Sequence, residues 1–87
     1  MKTISVFGSA SPRPGDADYD IAESLGRGLA EAGFAVTTGG YFGTMEAVSK
    51  GASDAGGHVI GITCDAIESK YGLAGPNQWV AEAVKIP

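Results

Sequence analysis

Cysteine is almost missing from this sequence: Cys64 stands alone, so no internal disulfide can brace the fold, and no Cys or His cluster at metal-ligand spacing offers a structural metal instead. Stability must come from the core itself, and neither a metal nor a resident cofactor is expected. Positive charge is scarce as well. Lys2, Arg13, Arg27, Lys50, Lys70 and Lys85 are scattered among ten carboxylates, the net charge is −4, and no basic stripe exists to follow a nucleic-acid backbone. Long apolar runs are also lacking. The stretch from Thr3 to Phe7 is too short for a signal peptide, and nothing approaches the ~20 apolar residues that span a bilayer. The expectation is a soluble, cytoplasmic protein with neither nucleic acid nor membrane as partner. Its 87 residues form one domain, 1–87, of a size that buries only roughly 60–65% of its unfolded surface.

Glycine, by contrast, is abundant: fourteen of 87 residues, about twice the usual ~7%, and placed at the ends of periodic segments instead of in a flexible tract. Thr3 to Phe7 reads as a strand buried on both faces, stopped by Gly8. A loop with two prolines follows, and Asp16, Asp18 and Asp20 then mark the start of a helix, where the dipole favours acids and side-chain oxygens can cap free N–H groups. Ile21, Leu25, Leu29 and Ala32 recur at helical spacing up to Gly33. Phe34 to Thr37 is the second strand. A second helix carries the stripe Met45, Val48, Ala52 and Ala55 and ends at Gly56-Gly57; His58 to Ile62 is the third strand. Asp65 to Gly75 reads as a polar loop, Asn77 to Ala83 as a short helix capped by Asn77, and Val84 to Pro87 as the beginning of another strand.

Strand, helix, strand, helix, strand implies two right-handed crossovers and a parallel sheet of order 3-2-1, an α/β, Rossmann-like, three-layer architecture. In an open sheet of this kind ligands bind beyond the carboxyl ends of the strands. Two glycine-bearing loops lie there: Gly8-Ser9-Ala10-Ser11 after the first strand, and Gly39-Gly40-Tyr41-Phe42-Gly43-Thr44 opening the second helix. Glycines let the backbone approach a phosphate, free amides at a helix start point at it, and hydroxyls add donors. Neither loop has the spacing of G-x-G-x-x-G or of a Walker motif. The plainer alternative is that the glycines only make tight turns.

Val6-Phe7-Gly8-Ser9-Ala10-Ser11, then Thr38-Gly39-Gly40-Tyr41-Phe42-Gly43-Thr44-Met45-Glu46-Ala47-Val48, then Ala55-Gly56-Gly57-His58-Val59-Ile60-Gly61-Ile62 resemble, in order and spacing across residues 3–63, the N-terminal half of the LONELY GUY (LOG) family, also labelled lysine decarboxylase-like and related to molybdenum-cofactor carrier-like proteins. The resemblance implies a Rossmann-like, usually dimeric fold that binds nucleoside 5′-monophosphates. In its complete form it implies a phosphoribohydrolase that cleaves the N-glycosidic bond of a cytokinin-type nucleotide. The family's P-G-G-x-G-T-x-x-E segment, with its catalytic Glu and Arg, belongs after a fourth strand and has no counterpart here, so no catalytic residue is assigned and Glu46 does not inherit the role. Whether the chain is an enzyme is left open.

The ligand-binding candidates are Gly8, Ser9, Ala10, Ser11, Gly39, Gly40, Tyr41, Gly43, Thr44 and Glu46. Glu46 either balances the helix dipole or accepts from ribose hydroxyls. Arg13 is solvated or reaches a phosphate, while Tyr71 and Trp79 cover a core edge or stack on a base. His58 and Cys64 lack activating partners and read as structural. A first strand of Ile4-Ser5-Val6-Phe7 carries none of the features that protect a sheet edge, so something should cover it: a fourth strand begun at residues 84–87, or a second copy in a homodimer. Three functions compete: the nucleotide-binding LOG-like domain, a non-catalytic binding or carrier module for a nucleotide or phosphorylated cofactor, and a ligand-free assembly subunit.

Overall fold

A computed structural model describes residues 2–39, 41–72 and 75–87. Among these the chain runs through β1 (Thr3–Ser5), α1 (Ala17–Glu31), β2 (Ala35–Thr38), α2 (Thr44–Asp54), β3 (Val59–Cys64), α3 (Asp65–Tyr71) and β4 (Glu82–Ile86). Both long helices stop where glycine predicts, and by the same device. Gly33, at φ 90°, donates its N–H to the Ala30 carbonyl while Phe34 N–H reaches Leu29, both at 3.0 Å. Gly56, at φ 82°, repeats this to Ser53 and Gly57 to Ala52, so the last carbonyls of each helix are satisfied by a turn whose left-handed residue needs no Cβ. At the other end of α1, Asp16 occupies the cap position but does not cap. Its carboxylate accepts the Arg13 N–H at 2.9 Å and closes the proline loop instead.

All strands are parallel, in the order β1-β2-β3-β4. The first three fall as the crossover rule requires. The fourth differs in position: it pairs with β3, from Ile60↔Glu82 to Cys64↔Ile86, and leaves the outer edge of β1 open. The cause is local. The segment expected to be a loop after Asp65 winds into α3, ends at Gly72 with φ 67°, and returns the chain to the edge it has just left. The short helix expected from Asn77 does not form. Asn77 Oδ1 accepts the Trp79 N–H at 3.1 Å in a turn, and Ala81 N–H then donates to the Val59 carbonyl at 2.9 Å, which starts the β4 ladder. Strand pairing there outweighs an isolated helical turn, whose nucleation is costly. Leu73 and Ala74, within the expected loop, lie outside the described residues. Contrary to its reading as a doubly buried strand, β1 is exposed throughout, because an edge strand lacks a neighbour on one side.

Helices α1 and α2 pack against each other and over β2, forming one layer on one face of the sheet. The core comprises Tyr19, Ala22, Val36, Ala47, Val48, Ala52 and Val59. Here the expected stripe on α1 is displaced. Tyr19, Ala22 and Gly26 are buried, whereas Ile21 and Leu25 are 68% and 48% exposed. Close approach decides this: Gly26 faces the Val48 carbonyl and Gly51 of α2 faces the Glu23 carbonyl, leaving no space for a Cβ at either glycine. The smallest extent of the molecule, 17 Å, corresponds to one helical layer on a sheet. The third layer of a doubly wound fold has its place on the opposite face, where Ile62, Val84 and Ile86 lie exposed.

The β3 residue Thr63 is buried with a hydroxyl that has no hydrogen-bond partner among the described residues. An unpaired buried hydroxyl is unfavourable, so Thr63→Val, which keeps the shape, is expected to stabilise the fold by about 1 kcal/mol. Chemical unfolding monitored by circular dichroism would read this directly, and a loss of stability would mean that the hydroxyl is satisfied in solution. Among the described residues no helix is long and apolar enough to cross a membrane.

Candidate functional site

The two glycine loops meet at the carboxyl ends of β1 and β2. Val6 N–H donates to the Thr37 carbonyl at 2.9 Å, which extends the β1–β2 ladder to the rim, and Thr44 N–H donates to the Ser9 carbonyl at 2.9 Å. Gly43 adopts φ 67° and ψ −130°, a conformation that side chains resist, and a Cβ there would lie 2.5 Å from Ser9 O and 2.6 Å from the Ala10 backbone. At Gly8 a Cβ would come within 2.5 Å of Thr44 Cγ2. These glycines therefore do more than turn the chain: they let one loop press on the other. Ser9 Oγ accepts the Ser11 N–H at 3.0 Å and shapes the first loop further.

Several amides at this junction remain available. Those of Gly8, Ala10, Phe42, Gly43 and Met45 make no hydrogen bond to another described residue, whereas Thr44 has spent its own on Ser9. At the first turn of α2 such donors add to the positive end of the helix dipole. Gly40 lies outside the described residues, as does the Tyr71 side chain.

Beside the junction opens a largely apolar cavity of about 620 Å³, lined by Ala10, Gly39, Tyr41, Phe42, Met45, Ile62, Cys64 and Ile67. A smaller space of about 360 Å³ shares Gly39 and Ile62 with it and extends to Phe7. A third cleft, about 460 Å³, runs from Ser9, Ser11 and Pro12 to Asp16 and Asp18, whose carboxylates make it unfavourable for an anion. Of the predicted residues, Ser9 and Ser11 face that acidic cleft, while Ala10, Gly39 and Tyr41 border the apolar one.

Tyr41 is more than a wall. Its buried hydroxyl accepts the Cys64 N–H at 3.0 Å and donates to Glu68 at 2.8 Å, while its carbonyl accepts from Asn77 Nδ2 at 2.9 Å. The glycine loop is thus tied to β3, to α3 and to the segment preceding β4. Burial pushes the Tyr41 phenol up, opposed by the Cys64 amide and reinforced by Glu68. The Lys85 ammonium, 2.9 Å away, and the Tyr41 hydroxyl hold the Glu68 carboxyl below its usual range. Sequence reasoning missed Glu68 and Asn77, because contacts 27 and 36 residues from Tyr41 leave no local pattern.

Glu46, read as surface acid or ligand contact, is occupied by a third partner: the buried Tyr19 hydroxyl donates to it at 2.5 Å. Burial raises the Tyr19 phenol well above its ordinary 10.0, and the Glu46 carboxylate adds to this. A phenol raised on folding supports the fold fully below the unfolded value and loses that support as pH climbs from about 10 toward the folded value. Urea midpoints should therefore fall above about pH 10, and Tyr19→Phe should flatten the fall, leaving the share due to Tyr41. An identical pH profile in the variant would place the alkaline sensitivity elsewhere. His58, in its turn, pairs with Glu82 at 2.9 Å, and Cys64 Sγ contacts the Pro87 carbonyl at 3.1 Å. Arg13 is exposed and Trp79 half-buried. Among the described residues no cluster of three or more His, Cys, Asp or Glu could hold a metal ion.

The model of one described family, SLOG cluster4, matches residues 1–74. The chain belongs to the SLOG cluster4 family. No curated protein matches it in sequence. Among solved structures, TM1055 is 36% identical with a TM-score of 0.73, over 99% of this chain and 48% of its own. The molybdenum cofactor binding protein of the phototrophic bacterium Rippkaea orientalis is 33% identical with a TM-score of 0.77, over 95% of this chain and 48% of its own. The molybdenum cofactor carrier protein of Chlamydomonas reinhardtii shares the fold, with a TM-score of 0.77 at 23% identity, over 99% of this chain and 50% of its own. This SLOG chain thus spans about half the length of the structures it matches.

Proposed function

We propose that this SLOG chain is a binding module for a small phosphorylated ligand that carries a flat ring, with a nucleoside 5′-monophosphate as the first candidate. One observation carries the reading: the available amides of Ala10, Phe42 and Met45 belong to residues that also line the apolar cavity. A phosphate cupped by these amides, helped by the Thr44 hydroxyl, places an attached ring among Phe42, Met45, Ile62 and Ile67. No cation is needed for such a cradle, which suits a chain of net charge −4.

On this reading the ligand is held and not cleaved. Cleavage of an N-glycosidic bond needs a carboxylate at the reacting carbon; near the loops Glu46 is engaged by Tyr19, Glu68 by Lys85 and Tyr41, and Asp16 by the Arg13 amide, while Asp18 lies in the separate acidic cleft. The hydrolase chemistry implied by the LOG resemblance is proposed only for a domain that carries the P-G-G-x-G-T-x-x-E segment. A phosphorylated pterin is the second candidate ligand, favoured by the protein of Rippkaea orientalis, named as a molybdenum cofactor binding protein.

Calorimetric titration with adenosine 5′-monophosphate, a phosphorylated pterin and inorganic phosphate tests the proposal. A ring-bearing ligand is expected to bind at least tenfold tighter than phosphate, and the order of the two names the ligand class. Three flat titrations would remove the binding reading. Adenine released from the monophosphate, followed by chromatography, would overturn its non-hydrolytic part.

A further inference from the structure

Three surfaces that a doubly wound domain buries are bare among the described residues: the outer edge of β1, the sheet face away from α1 and α2, and the outer side of α1. Along the edge, Val6 N–H donates inward to Thr37, so by the alternation of the ladder the amides of Thr3, Ser5 and Phe7 point outward, with no neighbouring strand among the described residues. On the sheet face away from α1 and α2 stand Phe7, 87% exposed, with Ile62, Val84 and Ile86. Val59, Gly61 and Thr63 of β3 are buried, so Ile62 turns to the opposite side, and the register puts Val84 beside it. On the helical layer, Ile21 and Leu25 lie about 100° and about 60° around α1 from Ala22, away from the Glu23 and Gly26 side that meets α2.

We propose that this surface docks a complementary α/β half-domain, which adds a strand parallel to β1, extends the helical layer past Ile21 and Leu25, and lays helices over Phe7 and Ile62. The occupant is of the kind that the solved relatives carry beyond the matched part: each matches 95–99% of this chain with only about half of its own length. A parallel strand is stable when both faces and both edges are covered, and the first strand of a doubly wound sheet is central. A second copy of this chain fits less well. Two-fold pairing through β1 sets antiparallel strands beside a parallel sheet and covers the edge alone. The proposal does not depend on the ligand reading, and its test contains no ligand.

The 87-residue chain is compared with a fusion in which the unmatched half of TM1055 follows Pro87, and with a mixture of the two halves. Hydrogen exchange at Ser5 and Phe7 and sedimentation velocity are the readouts. The chain alone should be a monomer whose Ser5 and Phe7 amides exchange rapidly, and these amides should slow at least 100-fold in the fusion or the mixture. Phe7→Asp should leave the unfolding midpoint of the chain alone unchanged while it lowers that of the fusion. Protected amides in a homodimer of the chain alone would assign the surface to a second copy and overturn the proposal. Unslowed exchange in both fusion and mixture would overturn it too, as would a Phe7→Asp effect equal in both backgrounds.

Discussion

Gly51→Ala is expected to destabilise the chain by about 3 kcal/mol, a large share of the ~5–10 kcal/mol that holds a domain of this size. Helix propensity alone argues the reverse, since alanine in a helix interior is worth about 1 kcal/mol over glycine. The deciding feature is contact. A Cβ at Gly51 would overlap the Glu23 carbonyl oxygen, and one at Gly26 would overlap that of Val48, so either substitution forces α1 and α2 apart and opens the layer over Val36 and Val59. Gly28→Ala is the control, because nothing lies within 4 Å of its added Cβ. It should gain about 1 kcal/mol. Guanidinium unfolding of the three proteins separates packing from propensity; a neutral Gly51→Ala would show that the helices sit farther apart than described.

Gly43→Ala is expected to cost about 2 kcal/mol of stability and more than tenfold in affinity for the monophosphate. Two causes combine there. The conformation at φ 67° and ψ −130° is strained for any side chain, and the new Cβ meets the Ser9 oxygen at 2.5 Å, which breaks the bond from Thr44 N–H and parts the two loops. Gly15, also left-handed at φ 99° but with nothing near its Cβ, supplies the comparison. Gly15→Ala carries strain without collision and should cost about 1 kcal/mol with binding intact. Thermal melts and calorimetric titration give both quantities. Unaltered affinity in a folded Gly43→Ala would remove the loop junction from the binding argument.

Both substitutions bear on what was legible beforehand. Helix ends at Gly33 and Gly56-Gly57, the parallel order of the first three strands and the position of both loops follow from local chemistry that any reader of the chain can apply. The buried face of α1 does not. Periodicity selects the large residues Ile21 and Leu25, whereas the observed face consists of Tyr19, Ala22 and Gly26, because the distance between two helices is set by the pair and not by either one. Tyr41 shows the same limit. Its place in the loop suggested a ligand contact, and it borders the apolar cavity, but no local pattern announced that its hydroxyl also serves Cys64 and Glu68, or that Glu46 serves Tyr19.

By itself the sequence determined the alternation of strands and helices, the glycine punctuation, the scattered charge, and the two loops at neighbouring strand ends. These depend on backbone dihedrals and on hydrophobic period, which act over a few residues. Only the tertiary structure decided that β4 joins β3, that β1 stays at an open edge, that Gly43 and Gly8 exist for the contact between loops, and that Glu46 and Tyr41 are already bonded. Each of those outcomes rests on atoms distant in sequence that meet at van der Waals or hydrogen-bond range, and short-range pattern carries no information about such meetings.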